Sequence, residues 1–257
     1  MGDIIVPLVS PLSRKYYNYA SEQSERKHHR AEDVRICLEY ICDHLIVIFV
    51  SEQDKKKWKG YKLHDKLKAS RNFLDKEIVD RLISAKVIGN IGVHEGEEGN
   101  YIEKDIVDSL NAIKEFSLEI FYVYFRKNGF DCNKKTWVPT VFSTLPPIYR
   151  VKILEKYYNN CNSSPFVIDK LSKAYLKEGL EKEAREFLLS CYEKKEITDE
   201  LYTVLDNDIL LLKSNISKLP IATDLEVSKK NFNELLPLIE ENERDSFICL
   251  MSIILNG

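Results

Sequence analysis

The sequence predicts an all-α protein built as an N-terminal helical bundle followed by a short α-solenoid-like or irregular helical domain. Three observations carry this. Glycine and proline, the residues that interrupt helices, number only nine and eight in 257 residues. Apolar residues recur at spacings of three and four, and no stretch sustains the alternation of a half-buried strand. Hydrophobic residues make up 44% of the chain, enough to fill a substantial core.

The elements follow in order. A first, charged helix is expected over 11–29. The second, over 31–50, carries Val34, Cys37, Leu38, Ile41, Cys42, Leu45, Ile46, Ile48 and Phe49. Its second half is apolar on all sides, which marks a central helix. A basic loop leads to a short helix over 63–74. Asp75 suits the N-cap of the next helix, whose Ile78, Leu82 and Ala85 make one face. Gly89 and Asn90 suit its C-terminal end, since both tolerate positive φ. An acidic loop over 94–99 precedes a long helix over 102–127, lined by Ile106, Leu110, Ile113, Ile120, Phe121 and Tyr124 and stopped by Gly129. These helices form a bundle over 1–130.

Residues 131–147 hold Pro139, Pro146 and Pro147 and little periodicity, so they read as a linker. A domain over 148–257 follows. It opens with a helix over 148–158, broken by the polar run 159–165. Further helices are expected over 199–218 and 228–255, with Pro220 between them and Pro237 as a kink or boundary. The final apolar run, 247–255, reads as a last core helix or an interface.

Composition narrows the function. Net charge is −3, so any nucleic-acid contact must come from a local patch. Cysteines 37, 42, 132, 161, 191 and 249 include no C-x-x-C pair, which argues against a zinc or thioredoxin-like site. Those in apolar runs read as buried reduced thiols, as expected of a cytoplasmic protein. The N-terminus lacks the charged region of a signal peptide, and no apolar run is long enough to span a bilayer. A Gly2 after Met1 fits myristoylation, but no second feature supports it. Phosphate-loop, H-E-x-x-H and G-x-S-x-G motifs are absent. No cofactor and no metal site is expected.

Three segments are candidate sites. The first is Asn90 and His94, with Lys86 one turn earlier. An imidazole there could move a proton at a ribose oxygen, and a cation could stabilise phosphate charge. The acidic residues that follow favour protonated His94 and repel an RNA backbone. In the alternative reading Asn90 caps the helix and His94 bonds a backbone group or faces solvent. The second segment is Lys55, Lys56, Lys57, Trp58, Lys59, Tyr61 and Lys62. Lysines could hold phosphates while the aromatics stack on bases. Its alternative is a solvated loop with Trp58 anchored on the bundle. The third is the cluster Arg26, Lys27, His28, His29 and Arg30. Adjacent histidines cannot share a helix face for metal binding, so a solvated basic junction is expected.

Two resemblances add to this reading. Residues 30–130, with Leu38-Glu39, the Asn90 and His94 spacing and the order of helices, resemble the HEPN superfamily. More narrowly, they resemble a prokaryotic family of HEPN-like domains of unknown function associated with restriction–modification and phage-defence genes. HEPN ribonucleases often carry Arg-Asn-x-x-x-His, and here Gly89 stands in the arginine place. The hairpin with Leu171, Tyr175, Gly179, Ala184, Leu188 and Cys191 resembles one tetratricopeptide unit, although Ser172 stands for a usual Gly and Glu196 for a usual Pro. Together the resemblances imply a cytoplasmic bacterial protein of antiviral defence. It would be a non-catalytic scaffold or regulatory subunit for a nuclease or ATPase partner. They leave room for a homodimer and for a nucleic-acid ligand, and imply no membrane. Two alternatives stand beside this one. One is a divergent HEPN ribonuclease, toxin-like, using His94 and Lys86. The other is a nucleic-acid-sensing adaptor using residues 55–62.

Overall fold

The computed structural model describes residues 11–22, 26–95, 99–130, 137–161 and 163–241, together with Arg244, Ile248 and Met251. Among the described residues there are twelve α-helices, two short 3-10 turns and no strand. They fall into two compact units. One holds the described residues up to Ile120 and those from Glu241 onward, and the other holds Phe121–Glu240.

The first unit is organised on α2 (Lys27–Phe49), which packs on α1 (Pro11–Ser21), α3 (Glu52–Lys59), α4 (Leu63–Ser70) and α5 (Lys76–Glu95). Its central position matches the expectation. Its second half is not buried all round, however, because Glu39 and Asp43 face solvent. Pro11 opens α1, where its fixed φ suits a first helical turn. Ser13, Tyr17 and Ala20 form the buried stripe of that helix. On α2 the buried Ala31, Val34, Leu38, Ile41 and Leu45 alternate spacings of three and four. On α5 the buried Ile78, Leu82, Ala85, Gly89 and Gly92 do the same. This is the seam of a coiled-coil-like pair.

The end of α5 meets the start of α2, so the pair is antiparallel. Here the sequence expectation fails. The helix does not stop at Gly89 but runs on to Glu95, and Gly89, Asn90 and His94 all lie inside it. The glycines serve close approach, not a cap. A Cβ on Gly89 would lie 2.6 Å from Arg35 Cβ and 3.1 Å from the Ala31 carbonyl. A Cβ on Gly92 would lie 2.7 Å from Ala31 Cβ and 2.9 Å from the His28 carbonyl. Among the described residues the glycines that do adopt positive φ are Gly129 (φ 80) and Gly179 (φ 82). Gly129 ends α6 (Glu103–Asn128) as expected, with its N–H on the Phe125 carbonyl at 2.7 Å.

The second unit is built on an aromatic cluster. Phe125 of α6 lies 4.8 Å from Phe130 and 5.0 Å from Phe142, ring centre to ring centre, and Phe130 lies 5.4 Å from Phe142. Offset and edge contacts of this kind add to simple burial. Phe142 closes α7 (Trp137–Phe142), and Val141, Leu145, Pro146 and Pro147 are also buried. The described part of 131–147 is therefore core rather than a linker, and residues 131–136 lie outside the described residues. Proline misled the sequence reading because Pro147 opens α8 (Pro147–Asn160), where its ring is tolerated.

Helix α9 (Pro165–Lys177) is capped by Ser164, whose Oγ accepts from the Val167 N–H at 3.4 Å. It turns at Gly179 into α10 (Glu181–Glu193), and the hairpin buries Leu171, Ser172, Tyr175, Ala184, Leu188 and Cys191. Then α11 (Asp199–Asn215) begins under a Thr198 cap. Each of α8 to α11 packs on the next, and α11 also reaches α9. Pro237 acts as a boundary. Helix α12 (Leu225–Leu235) ends before it, in a 3-10 turn over Leu236–Leu238. Most of the apolar run 247–255 lies outside the described residues. Of the two described, Ile248 is half-buried and Met251 fully buried.

The α2–α5 seam predicts opposite outcomes for glycines that look alike in sequence. Gly89→Ala and Gly92→Ala should each lower stability by about 1–2 kcal/mol, overpacking outweighing the better helix propensity of Ala. Gly60→Ala, at a right-handed C-cap with its nearest neighbour 3.4 Å from the added Cβ, should be neutral or stabilise by up to about 1 kcal/mol. Urea midpoints with unchanged slopes would read this directly.

Candidate functional site

Lys86, Asn90 and His94 stand at steps of four along α5, so the structure brings them onto one helix face. Lys86 and Asn90 are half-buried, and His94 is exposed. Neither Asn90 nor His94 sits at a loop or cap, because the helix continues through both. The arginine place of the HEPN pattern, Gly89, points into the seam against Arg35. No side chain can stand there without parting the helices. Arg35, on the neighbouring helix, is held by Glu39 at 3.2 Å. Glu95 closes α5 in solvent, while residues 96–98 of the acidic segment lie outside the described residues.

The basic start of α2 lies beside the end of α5, the His28 carbonyl being 2.9 Å from where a Gly92 Cβ would stand. The rings of His28 and His29 are 3.9 Å apart, and His29 Nδ1 is 3.4 Å from Glu32. Arg30 departs from the expected solvated cluster. It is 4% exposed, so its charge needs partners. Its Nε donates to the Ala20 carbonyl at 2.8 Å, and a second nitrogen donates to Glu103 at 2.7 Å. It joins the ends of α1 and α6 to α2.

The segment expected as a basic loop is helix α3 as far as Lys59. Glu52 and Asp54 lie in its first turn and Lys56, Lys57 and Lys59 in its last. That order complements the helix dipole, each charge contributing about 0.3–1 kcal/mol. Lys55 pairs with Glu52. Trp58 is buried at 9% exposure, its ring stacked on Phe73 at 5.7 Å and tilted against Tyr61 at 6.0 Å. Its faces are occupied by the bundle. Lys56, Lys57, Lys59 and Lys62 remain exposed.

Cys37, Cys42 and Cys191 are buried, free thiols. Burial pushes the Cys37 thiol up, that of Cys42 up to about 12 and that of Cys191 up to about 11. Such thiols are poor nucleophiles. Cys132 and Cys249 lie outside the described residues. Among the described residues no group of three or more His, Cys, Asp or Glu is placed to hold a metal ion, and no helix is long and apolar enough to cross a membrane.

One constellation escaped the sequence reading. In the second unit a cavity of about 260 Å³ and a smaller one of about 70 Å³ share Ser143, Arg150 and Lys177. Arg150 on α8 is 5% exposed. Burial pushes its guanidinium down to about 10. Burial, with the charges of Arg150, Lys170 and Lys173, pushes the Lys177 ammonium down to about 8. Neither residue has a hallmark in sequence. Each is one of three basic residues in its helix, and only the meeting of α8 with α9 places them together. Comparison of the chain with protein-family models, with curated proteins and with solved structures finds no match.

The packing of Trp58 is checked by substitution. Trp58→Ala should cost about 3 kcal/mol of stability. Trp58→Phe should keep most of it. Neither should alter the salt dependence of any nucleic-acid binding, which belongs to the lysines. A Trp58→Ala protein of native stability that has lost nucleic-acid affinity would make Trp58 a stacking platform instead.

Proposed function

We propose that this chain is a non-catalytic binding subunit of a bacterial defence complex directed against phage or foreign DNA. It works through protein–protein contacts with a nuclease or ATPase partner. The observation that carries the binding role is the outer face of α11. Val204 is 55%, Leu210 45% and Leu211 63% exposed, and Leu189 on the adjoining α10 is 43% exposed. Stacked helical hairpins bury each face against the next, and a face left apolar and open is where a partner packs. The defence setting rests on the resemblance of residues 30–130 to the HEPN-like family.

A second reading keeps its place because Lys86, Asn90 and His94 share one face of α5. That is the divergent ribonuclease. The adaptor that senses nucleic acid through residues 55–62 is less favoured, because Trp58 is packed against Phe73.

Two variants separate these readings. Val204→Glu combined with Leu211→Glu, both at exposed positions, should shift stability by only about 0.5 kcal/mol per site. The same pair should dissociate the chain from its operon-encoded partners on size exclusion and abolish phage protection in plating assays. Retention of the complex by the folded double variant would overturn the α11 assignment. His94→Ala should leave protection intact and stability within about 1 kcal/mol of wild type. Protection lost with partners still bound would favour the ribonuclease.

A further inference from the structure

A buried arginine and a half-buried lysine of the second unit carry an inference independent of the partner reading. Arg150 and Lys177 line the paired cavities from α8 and α9. Arg150 is almost wholly buried, and its Nε has no acceptor. Neither residue forms an ion pair among the described residues. The carboxylates that bear on them either act through space or hold other lysines. Glu178, whose carboxyl feels the Ile148 backbone N–H at the start of α8, acts on Arg150 only through space. Asp169 is bound to Lys170 at 3.2 Å and Lys173 at 2.5 Å. Asp208 holds Lys173 at 2.8 Å. Glu234 lines the larger cavity at its exposed edge.

A buried charge without a counter-charge destabilises a fold strongly. A second, half-buried cation beside it, Lys177, raises that cost. An anion in the cavity would answer both. The remaining lining states its chemistry. Thr140 offers a hydroxyl that makes no internal bond among the described residues, whereas Ser143 and Thr144 donate theirs to the carbonyls of Pro139 and Val141, both at 2.7 Å. Leu219, Ile221 and Leu235 form an apolar wall. Two cations match a dianion, and a phosphomonoester carries close to two negative charges at neutral pH. The planar guanidinium fork suits phosphate oxygens, and the ammonium adds a point charge.

We propose that the cavity between α8, α9 and the 219–235 segment is a binding site for a small phosphomonoester, its phosphoryl group held by Arg150 and Lys177 and its organic part lying on Leu219, Ile221 and Leu235. A phosphoryl group can come from an ester or from free phosphate, and the apolar wall favours the ester. The site requires no partner chain and no chemistry on the ligand.

The test is thermal unfolding and calorimetry of the full chain with inorganic phosphate, phenyl phosphate, and sodium chloride at matched ionic strength. Phenyl phosphate should raise the melting temperature saturably and bind at least tenfold tighter than phosphate, while chloride does neither. Arg150→Met should raise the melting temperature without ligand and remove the phenyl phosphate shift. Lys177→Met should weaken binding at least tenfold, and it carries the test should Arg150→Met fail to fold. Equal affinity for phosphate and phenyl phosphate would overturn the assignment to an ester. A shift no larger than that of chloride, or one unchanged in Lys177→Met, would overturn the site.

Discussion

The first unit depends on how closely α2 and α5 approach. Gly89 and Gly92 on one side and Ala31 on the other bring two backbones together at distances that exclude even a methyl group. Farther along, the same seam is filled by Leu38, Ile41, Leu45, Leu82 and Ile78. The helices therefore touch through backbone at one end and through side chains at the other. The closed end also fixes Arg30, one residue before Ala31. Its guanidinium lies deep enough to need partners and finds them on the Ala20 carbonyl and Glu103. Steric closure and the bonds of a buried arginine thus determine the same end of the bundle. Alone, a glycine pair would leave the register loose, and a buried arginine alone would be a burden.

The second unit solves a different problem. It has no small-residue seam. Instead rings from α6, the turn after it, α7 and α8 interlock around Phe125, Phe130, Phe142 and Tyr157. Large rings tolerate irregular helix crossings because they fill space from many directions. This lets a segment rich in proline join the core. The regular stack of α8 to α11 then grows from that base, three of its helices started by a local signal: Pro147 for α8, Ser164 with Pro165 for α9, Thr198 for α11.

What could be read from the sequence follows from this contrast. Helix periodicity and caps are local, so the all-α class, the central place of α2, the stop at Gly129 and the turn at Gly179 were legible. Gly89 was misread because a glycine near a helix end has two physical uses, positive φ and close approach, and only the neighbouring helix distinguishes them. Trp58 and its lysines were misread as a loop because charges ordered for a helix dipole look, in one dimension, like a basic run. Residues 137–147 were misread because proline marks a break without saying whether the break is exposed or packed. The candidate face on α5 was legible as residues but not as geometry. Arg150 and Lys177 were illegible, because what sets them apart is burial, and burial of a lone arginine leaves no periodic trace.

Charge pairing separates architecture from function in this chain. In the first unit, four charged side chains meet opposite partners: Lys66 with Asp43, Arg71 with Asp80, Arg81 with Glu115, Arg35 with Glu39. Exposed pairs of this kind contribute little each. In the second unit Lys173 is held by Asp169 and Asp208 on two helices, and Lys213 is held by Glu181. Arg150 combines near-complete burial with no ionic partner among the described residues, and the half-buried Lys177 beside it has none either. Packing cannot explain them, since an apolar side chain would fill the same volume at lower cost. The field they create points into a cavity, where low polarity strengthens it. A cation placed where it harms the empty fold and helps a filled one links the stability of this unit to whatever anion is present.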